Sequence, residues 1–302
     1  MARAWYLPQH KRSFQTDWQK LLGLNGVTAL RAGLAVDDEH YRYGMPVAVT
    51  PGLLPAPIPY PRTLAGIGPV VSLHQDRYAS FENIRGVGRA EDYNLGWDAS
   101  VQILADSPAL GSSASGPDLS LGASKGFEPW RSWLVLTQAT WSGRHVGGVW
   151  HNQALNIAGT AYGQMWPWQT LVFHADIASL LHPDPEDRLY IGGADALRGY
   201  PNFYATGDRR VRVTIADRIV TPIIWLHTFQ VGFVAFTDNA RIDHAAGTGR
   251  SRWYSTVGGG LRLGNLRGSS NPVLYFTLAL PLHAPPDVRR RPVFAVGDVV
   301  TF

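Results

Sequence analysis

Apolar and polar residues alternate with a period of two along most of this chain. From Tyr93 to Ile103, the residues Tyr93, Leu95, Trp97, Ala99, Val101 and Ile103 share one parity, and Asn94, Gly96, Asp98, Ser100 and Gln102 share the other. That is the side-chain period of a β-strand, not the 3.6 of a helix. The pattern recurs downstream. Leu171, Phe173, Ala175 and Ile177 oppose Thr170, His174 and Asp176, and Val211, Val213 and Ile215 oppose Arg210, Arg212 and Thr214. Phe229, Val231, Phe233 and Ala235 oppose Gln230, Gly232 and Asp238, while Trp253, Val257, Leu261 and Leu263 oppose Tyr254, Thr256 and Arg262. Leu274, Phe276, Leu278, Leu280 and Leu282 oppose Tyr275 and Thr277. Weaker alternation marks Thr28–Val36, Thr63–Leu73, Leu119–Lys125, Trp133–Trp141 and Gln153–Gly163, with Tyr41–Val49 and Tyr78–Ile84 as one or two further candidates. The fold class predicted is all-β, with about twelve to fourteen strands.

Period alone fits a soluble β-sandwich and a membrane barrel equally, since both are built from alternating strands. Segment length and the polar inner face together favour the barrel. Most segments run longer than the ~5–6 residues of a typical soluble strand, and a tilted strand needs about 9–11 to cross a bilayer. Trp130, Trp133, Trp166, Trp168, Trp253 and Tyr254 lie near segment ends, where aromatic belts meet the membrane interface. The reading favoured is a transmembrane antiparallel β-barrel, with the Leu/Phe/Trp face toward lipid and Asp98, Asp176, Arg212 and Arg262 toward the lumen.

Composition narrows this further. Among 302 residues, 45% are apolar, 17% are charged and none is Cys, with a net charge of +4. Disorder, a disulfide scaffold and a Cys-based metal or redox centre are excluded. No apolar run approaches the 18 residues of a membrane helix, and the nearest, Ile219 to Leu226, is broken by Pro222. Basic residues are dispersed, and the run Arg289-Arg290-Arg291 beside Pro292 reads as a solvated turn, so nucleic acid is not an expected partner. Met1 to Ser13 lacks the apolar core of an export signal. Asp106–Pro117 reads as a Ser/Gly/Pro loop, Thr50–Arg62 is too rich in proline for a central strand, and His182–Arg188 reads as a charged, solvated turn.

Residues 189–208 break the alternation. Leu189-Tyr190-Ile191-Gly192-Gly193-Ala194-Asp195-Ala196-Leu197-Arg198-Gly199-Tyr200 is followed by Pro201-Asn202-Phe203-Tyr204-Ala205-Thr206-Gly207-Asp208. A long loop of this kind is usually functional. Its glycines permit positive φ and close approach of backbone to a wall. Arg198 offers a planar fork of donors, and Asp238 points inward by parity, so a bidentate pair inside the lumen would pin the loop. The alternative is a solvated Arg198 and an Asp238 that only caps a strand.

Gly192-Gly193, then Leu197-Arg198-Gly199-Tyr200, resembles the loop motif of the BamA-type superfamily of outer-membrane assembly and translocation barrels, the bacterial surface antigen family. Five strands follow the loop, as in that family: Arg209–Asp217, Phe229–Asp238, Trp253–Leu263, Val273–Leu282 and Val293–Phe302. Gly232-Phe233 with Asp238 is similar to its strand motif, and Phe302 to its aromatic assembly signal. Departures are Asn239-Ala240, where a small residue and Gly are usual, and Asp217 in place of Glu. Asp298 shares parity with Phe294, Val296, Val300 and Phe302, so it falls on the lipid face unless the strand bulges or leaves the membrane early.

The resemblance implies a sixteen-stranded barrel with the motif loop folded into its lumen and Arg198 held by Asp238. Residues 1–302 read as one barrel domain, short of the family's strand count and without periplasmic capture modules. The expectation is therefore the C-terminal part of a larger outer-membrane protein, or a reduced barrel. The implied function is insertion or passage of polypeptides through a lateral seam, with outer-membrane lipid, client polypeptides or periplasmic accessory proteins as partners. A membrane anchor or passive pore, and then a lipid-acting enzyme, are the alternatives. No cofactor, metal site or catalytic residue is predicted. His182, Asp184, Glu186 and Asp187 sit in a Pro-rich turn, Ser113 lacks a nucleophile-elbow context, and Gly258-Gly259-Gly260 lies within a strand. His174 and Asp176 face inward, but the sequence places no serine beside them.

Overall fold

The computed structural model describes residues 5–6, 9–44, 47–48, 60–184, 186–193, 197–243, 252–267, 273–282, 288 and 290–297. In chain order its strands are β1 (Trp5–Tyr6), β2 (Gln9–Asn25), β3 (Thr28–Tyr43), β4 (Val47–Ala48), β5 (Arg62–Gln75), β6 (Tyr78–Glu82), β7 (Ala90–Asn94), β8 (Trp97–Asp106), β9 (Gly116–Phe127) and β10 (Trp133–Val146). There follow β11 (Val149–Trp166), β12 (Gln169–Leu181), β13 (Leu189–Ile191), β14 (Ala205–Gly207), β15 (Arg209–Trp225), β16 (Phe229–Asp243), β17 (Arg252–Asn265), β18 (Val273–Pro281) and β19 (Val293–Gly297). The fold is all-β. One short 3₁₀ turn, Pro108–Leu110, is the single helical piece among the described residues.

Thirteen strands form one antiparallel sheet in the order β19-β18-β17-β16-β15-β12-β11-β10-β9-β8-β5-β3-β2. The sheet is an up-and-down meander, and the alternation read from the sequence sets its faces. Phe173, Ile177, Ile215, Phe233, Val257 and Leu278 lie exposed on the outer face, while His174, Asp176, Thr214, Asp238, Thr256 and Arg262 are buried on the inner one.

The sheet curls around that inner face. Arg62 at the start of β5 reaches Asp184 and Glu186, which follow β12, although four strands separate β5 from β12 in the sheet. In a flat sheet those strands would stand about 24 Å apart at ~4.8 Å per step, far beyond the reach of one side chain. Among the described residues the curl does not close into a barrel, because β2 and β19 each pair with a single neighbour. β2 is largely exposed on both faces, including Phe14, Trp18, Leu22 and Leu24.

Several expectations are corrected. Tyr93 to Ile103 is not one strand. Tyr93 and Leu95 are buried while Trp97, Val101 and Ile103 are exposed, because the hairpin that continues β5 and β8 bends inward near Leu95-Gly96 with its register unbroken, from His74↔Asp98 to Tyr78↔Asn94. Gly96 fits this bend, since a Cβ there would strike the Gln75 carbonyl. Tyr78–Ile84 is not a wall strand either: β6 pairs only with β7, and this hairpin is folded against the inner face. Tyr41–Val49 divides between the end of β3 and β4, which pairs with β1. The 17-residue β2 gave no signal in the sequence, because Lys20 interrupts its apolar parity and the register shifts between Leu21 and Gly23. Pro222 sits in β15 where the register shifts between Val220 and Ile224, so its missing N–H breaks no regular ladder. Arg290 and Arg291 are exposed just before β19. Phe302, Asp298, Val300, Arg289 and Ala194–Ala196 lie outside the described residues.

Two chain segments fill the concave side. From the end with short connections, Phe81, Ile84, Val87 and Tyr93 of the β6–β7 hairpin pack with Leu134, Tyr162, Val172, Ala216, Val234, Phe236 and Tyr275 of the wall. From the opposite end comes the segment between β12 and β15, whose Ile191, Leu197 and Tyr200 pack with Ala240 and Val288.

Candidate functional site: an infolded loop and its guanidinium anchor

The loop between β12 and β15 is shaped by its own short ladder. β13 pairs with β14, Gly193 accepts from Leu197 N at 3.2 Å, and Gly193 N donates to the Tyr200 carbonyl at 3.1 Å. Gly192 and Gly193 have φ of 105° and 87°, and a Cβ on Gly192 would collide with the Pro201 carbonyl. These two positions need glycine for conformation as well as space. Gly199, at φ 87°, passes so close to β18 that an added Cβ would stand 3.2 Å from Ala279 Cβ.

This path delivers Arg198 to the inner face. Its Nε donates to Asp238 Oδ2 and its Nη2 to Asp238 Oδ1, each at 2.7 Å, a two-pronged geometry available only to Arg. Thr214 Oγ1 donates to Asp238 Oδ1 at 3.0 Å, and the Arg198 guanidinium carbon lies 3.2 Å from the Phe236 ring centroid. Arg198 and Asp238 are 5% and 3% exposed, so the pair is dry. Tyr200 is buried against Tyr204 and Tyr254, with centroids at 5.2 and 5.8 Å. Arg210 of β15 donates to the Tyr190 carbonyl at 3.1 Å and ties down the loop's base.

The other motif positions lie on the neighbouring wall. Gly232 is on the inner face of β16, where an added Cβ would stand 2.8 Å from the Ile219 carbonyl, and Phe233 faces outward. Asp217 also lies on the outer face, in register with Leu171 and Ala235, and its Oδ1 and Oδ2 accept from Gln169 Nε2 at 3.0 and 2.9 Å. It therefore does not join the Arg198 site.

Sequence reasoning put His174, Asp176 and Arg212 on the inner face without joining them, and it read the Asp184 turn as solvated. The turn after β12 is not solvated. Asp184 accepts from Arg62 at 2.8 Å and from Arg144 at 3.0 Å, and Glu186 also pairs with Arg62. Asp184, Glu186 and Asp187 bring their oxygens within 4.8 Å of one another, but Arg62 already pairs with Asp184 and Glu186 and Arg144 with Asp184. Burial pushes the Asp187 carboxyl up from its ordinary range, partly offset by a hydrogen bond from Asn152. Deeper in, Asp176 gathers Arg210 and Arg212, with His174 at 3.4 Å and Thr160 Oγ1 at 2.9 Å from His174 Nδ1. The hydroxyl, imidazole and carboxylate are all buried, and two guanidiniums hold the carboxylate, so the cluster is built as a packed polar network. The signal available for both was Arg at inward parity, on β5 and β10 for the first and on β15 for the second.

Comparison with models of known protein families gives no match to this chain, and comparison with curated proteins gives none.

Proposed function

We propose that this chain is the membrane barrel of an outer-membrane protein of the BamA-type superfamily, assisting insertion or passage of polypeptides at a seam between β2 and β19. The observation that carries this reading is the dry Arg198–Asp238 fork inside a curled sheet, formed by the loop that contains Gly192-Gly193 and Arg198-Gly199-Tyr200. The outer face supports a membrane setting. Trp133 and Trp141 share outward parity on β10, eight residues apart, with Trp130, Trp166, Trp168 and Trp225 exposed near one end and Trp253 near the other. Eight residues span about 27 Å along a strand, or roughly 21 Å after a ~40° tilt, near the ~25 Å of an outer-membrane apolar band.

The seam supplies the mechanism. β2 presents an unpaired edge 17 residues long among the described residues. Such an edge is a template onto which a client strand adds through main-chain hydrogen bonds, whatever its side chains. No bond is made or broken, so the chain's part is to hold that edge open in the membrane. The pinned loop braces β16, β17 and β18 from the inner side, through Asp238, Tyr254 and Ala279.

The test is assembly of an unfolded client barrel in proteoliposomes, with a photo-crosslinking residue at Trp18 or Phe14 of β2. Faster client assembly together with client crosslinks to β2 is expected. Ion conductance without either would place the chain with passive pores or anchors instead.

A further inference from the structure

The β6–β7 hairpin is gripped by its backbone. Gln164 of β11 donates to the Glu82 carbonyl, and Thr170 of β12 donates to the Asn83 carbonyl at 3.0 Å. Arg218 of β15 donates to the Ile84 carbonyl at 2.8 Å, and Arg262 of β17 to those of Arg85 and Gly86 at 2.8 and 3.2 Å. Consecutive carbonyls from residue 82 to 86 thus face donors from four wall strands. Ile84 and Val87, both fully buried, fill the apolar floor below them beside Tyr162 and Val172.

The chemistry of these donors exceeds what a permanent plug requires. Arg262 is fully buried, and its Nε and Nη1 make no hydrogen bond among the described residues. Burying a guanidinium without a carboxylate is costly, and well-packed apolar side chains would fasten a fixed plug more stably. Donors aimed at main-chain carbonyls, one of them with capacity to spare, suit a surface that receives polypeptide backbone without reading its side chains. The hairpin is also separable. Its ladder from Tyr78↔Asn94 to Glu82↔Ala90 is internal, and it shares no ladder with the large sheet.

We propose that Gln164, Thr170, Arg218 and Arg262 form a receptor for a β-turn of an incoming polypeptide, apolar at its tip, and that the hairpin is a resident occupant which the incoming turn displaces. This rests on the polypeptide-handling reading above and names the feature by which the client is held before it reaches the seam.

The test uses the full chain folded in detergent and a shortened variant with residues 79–93 replaced by a Gly-Ser bridge. The probe is a labelled synthetic peptide of residues 78–94, with binding read by fluorescence anisotropy. The shortened variant is expected to bind it saturably and at least about tenfold more tightly than the full chain, and Arg262→Gln in that variant to weaken binding by about tenfold, the equivalent of one charge-assisted hydrogen bond. A folded shortened variant that binds no peptide overturns the proposal. Hydrogen exchange on the full chain decides independently: amides 79–93 are expected to exchange at least about tenfold faster than those of β11 and β12, and equal protection overturns it. Neither readout uses client assembly. Peptide binding with no assembly activity would remove the proposed function and leave the turn receptor standing, whereas assembly with no peptide binding would do the reverse.

Discussion

Arg198 and Asp238 are both out of water, so each depends on the other for its solvation. Removing one partner of a buried pair leaves an uncompensated charge and costs about 3–5 kcal/mol. Arg198→Ala is therefore expected to lower stability by roughly that amount and to free the loop, read as new protease cleavage between residues 189 and 208. Arg198→Lys keeps the charge but supplies a point donor in place of a fork, so it should cleave at an intermediate rate. Cleavage of Arg198→Ala no faster than wild type would show that Ile191, Leu197 and Tyr200 hold the loop without the guanidinium. Asp187 offers the opposite case. Because burial raises its pKa in the folded protein, its ionisation opposes folding: the cost is absent below the unfolded value of about 3.9 and grows as pH rises through the folded one. Asp187→Asn should stabilise the protein at pH 7 and change nothing at pH 3, as measured by thermal unfolding in detergent.

At the scale of elements, the legible features were those that repeat. Strands from β15 to β18 were readable because outward apolar residues recur at every second position over most of their length, as in Leu274 to Leu282. The Arg198–Asp238 contact was readable because one motif and one parity both pointed at it. What stayed hidden depended on three-dimensional placement. Nothing in Tyr78–Asn94 distinguishes a wall hairpin from an infolded one, since the same apolar residues serve either; only the inward bend at Gly96 decides, and one glycine is a weak mark. Arg62, Arg144, Arg218 and Arg262 reach carboxylates or carbonyls 40 to 177 residues away, so spacing carried no trace of them. The chain's lack of Cys makes the hairpin's seat testable. A Cβ on Gly264 would stand 2.6 Å from Val87 Cβ, closer than the ~3.8 Å of a relaxed disulfide, so a small shift of the tip would accommodate one. Val87→Cys with Gly264→Cys should crosslink on oxidation and slow exchange of amides 79–93 to the rate of the wall. Failure to crosslink would place the tip elsewhere in solution.

At the scale of the whole molecule, everything turns on which face meets water. The two readings of a period-two pattern, membrane barrel and soluble sandwich, assign opposite surroundings to the same side chain. Ile177 is 50% exposed at mid-strand on β12, between Ile157 and Val211, and its neighbour Asp176 is buried among arginines. In a sandwich, the buried charged face would be the anomaly, and an added charge at Ile177 would sit in water at a cost near zero. In a bilayer, Arg on the lipid face near the midplane costs about 2–4 kcal/mol and progressively less toward either interface. Ile177→Arg is therefore expected to destabilise the protein by that amount in lipid vesicles. Trp253→Arg, near the end of β17, should cost about 0–1 kcal/mol. Equal effects at the two positions, or folding of the unmodified chain to a compact species without detergent or lipid, would remove the membrane from the account. A difference between the two well above the ~1 kcal/mol that strand propensity spans is the mark of the bilayer.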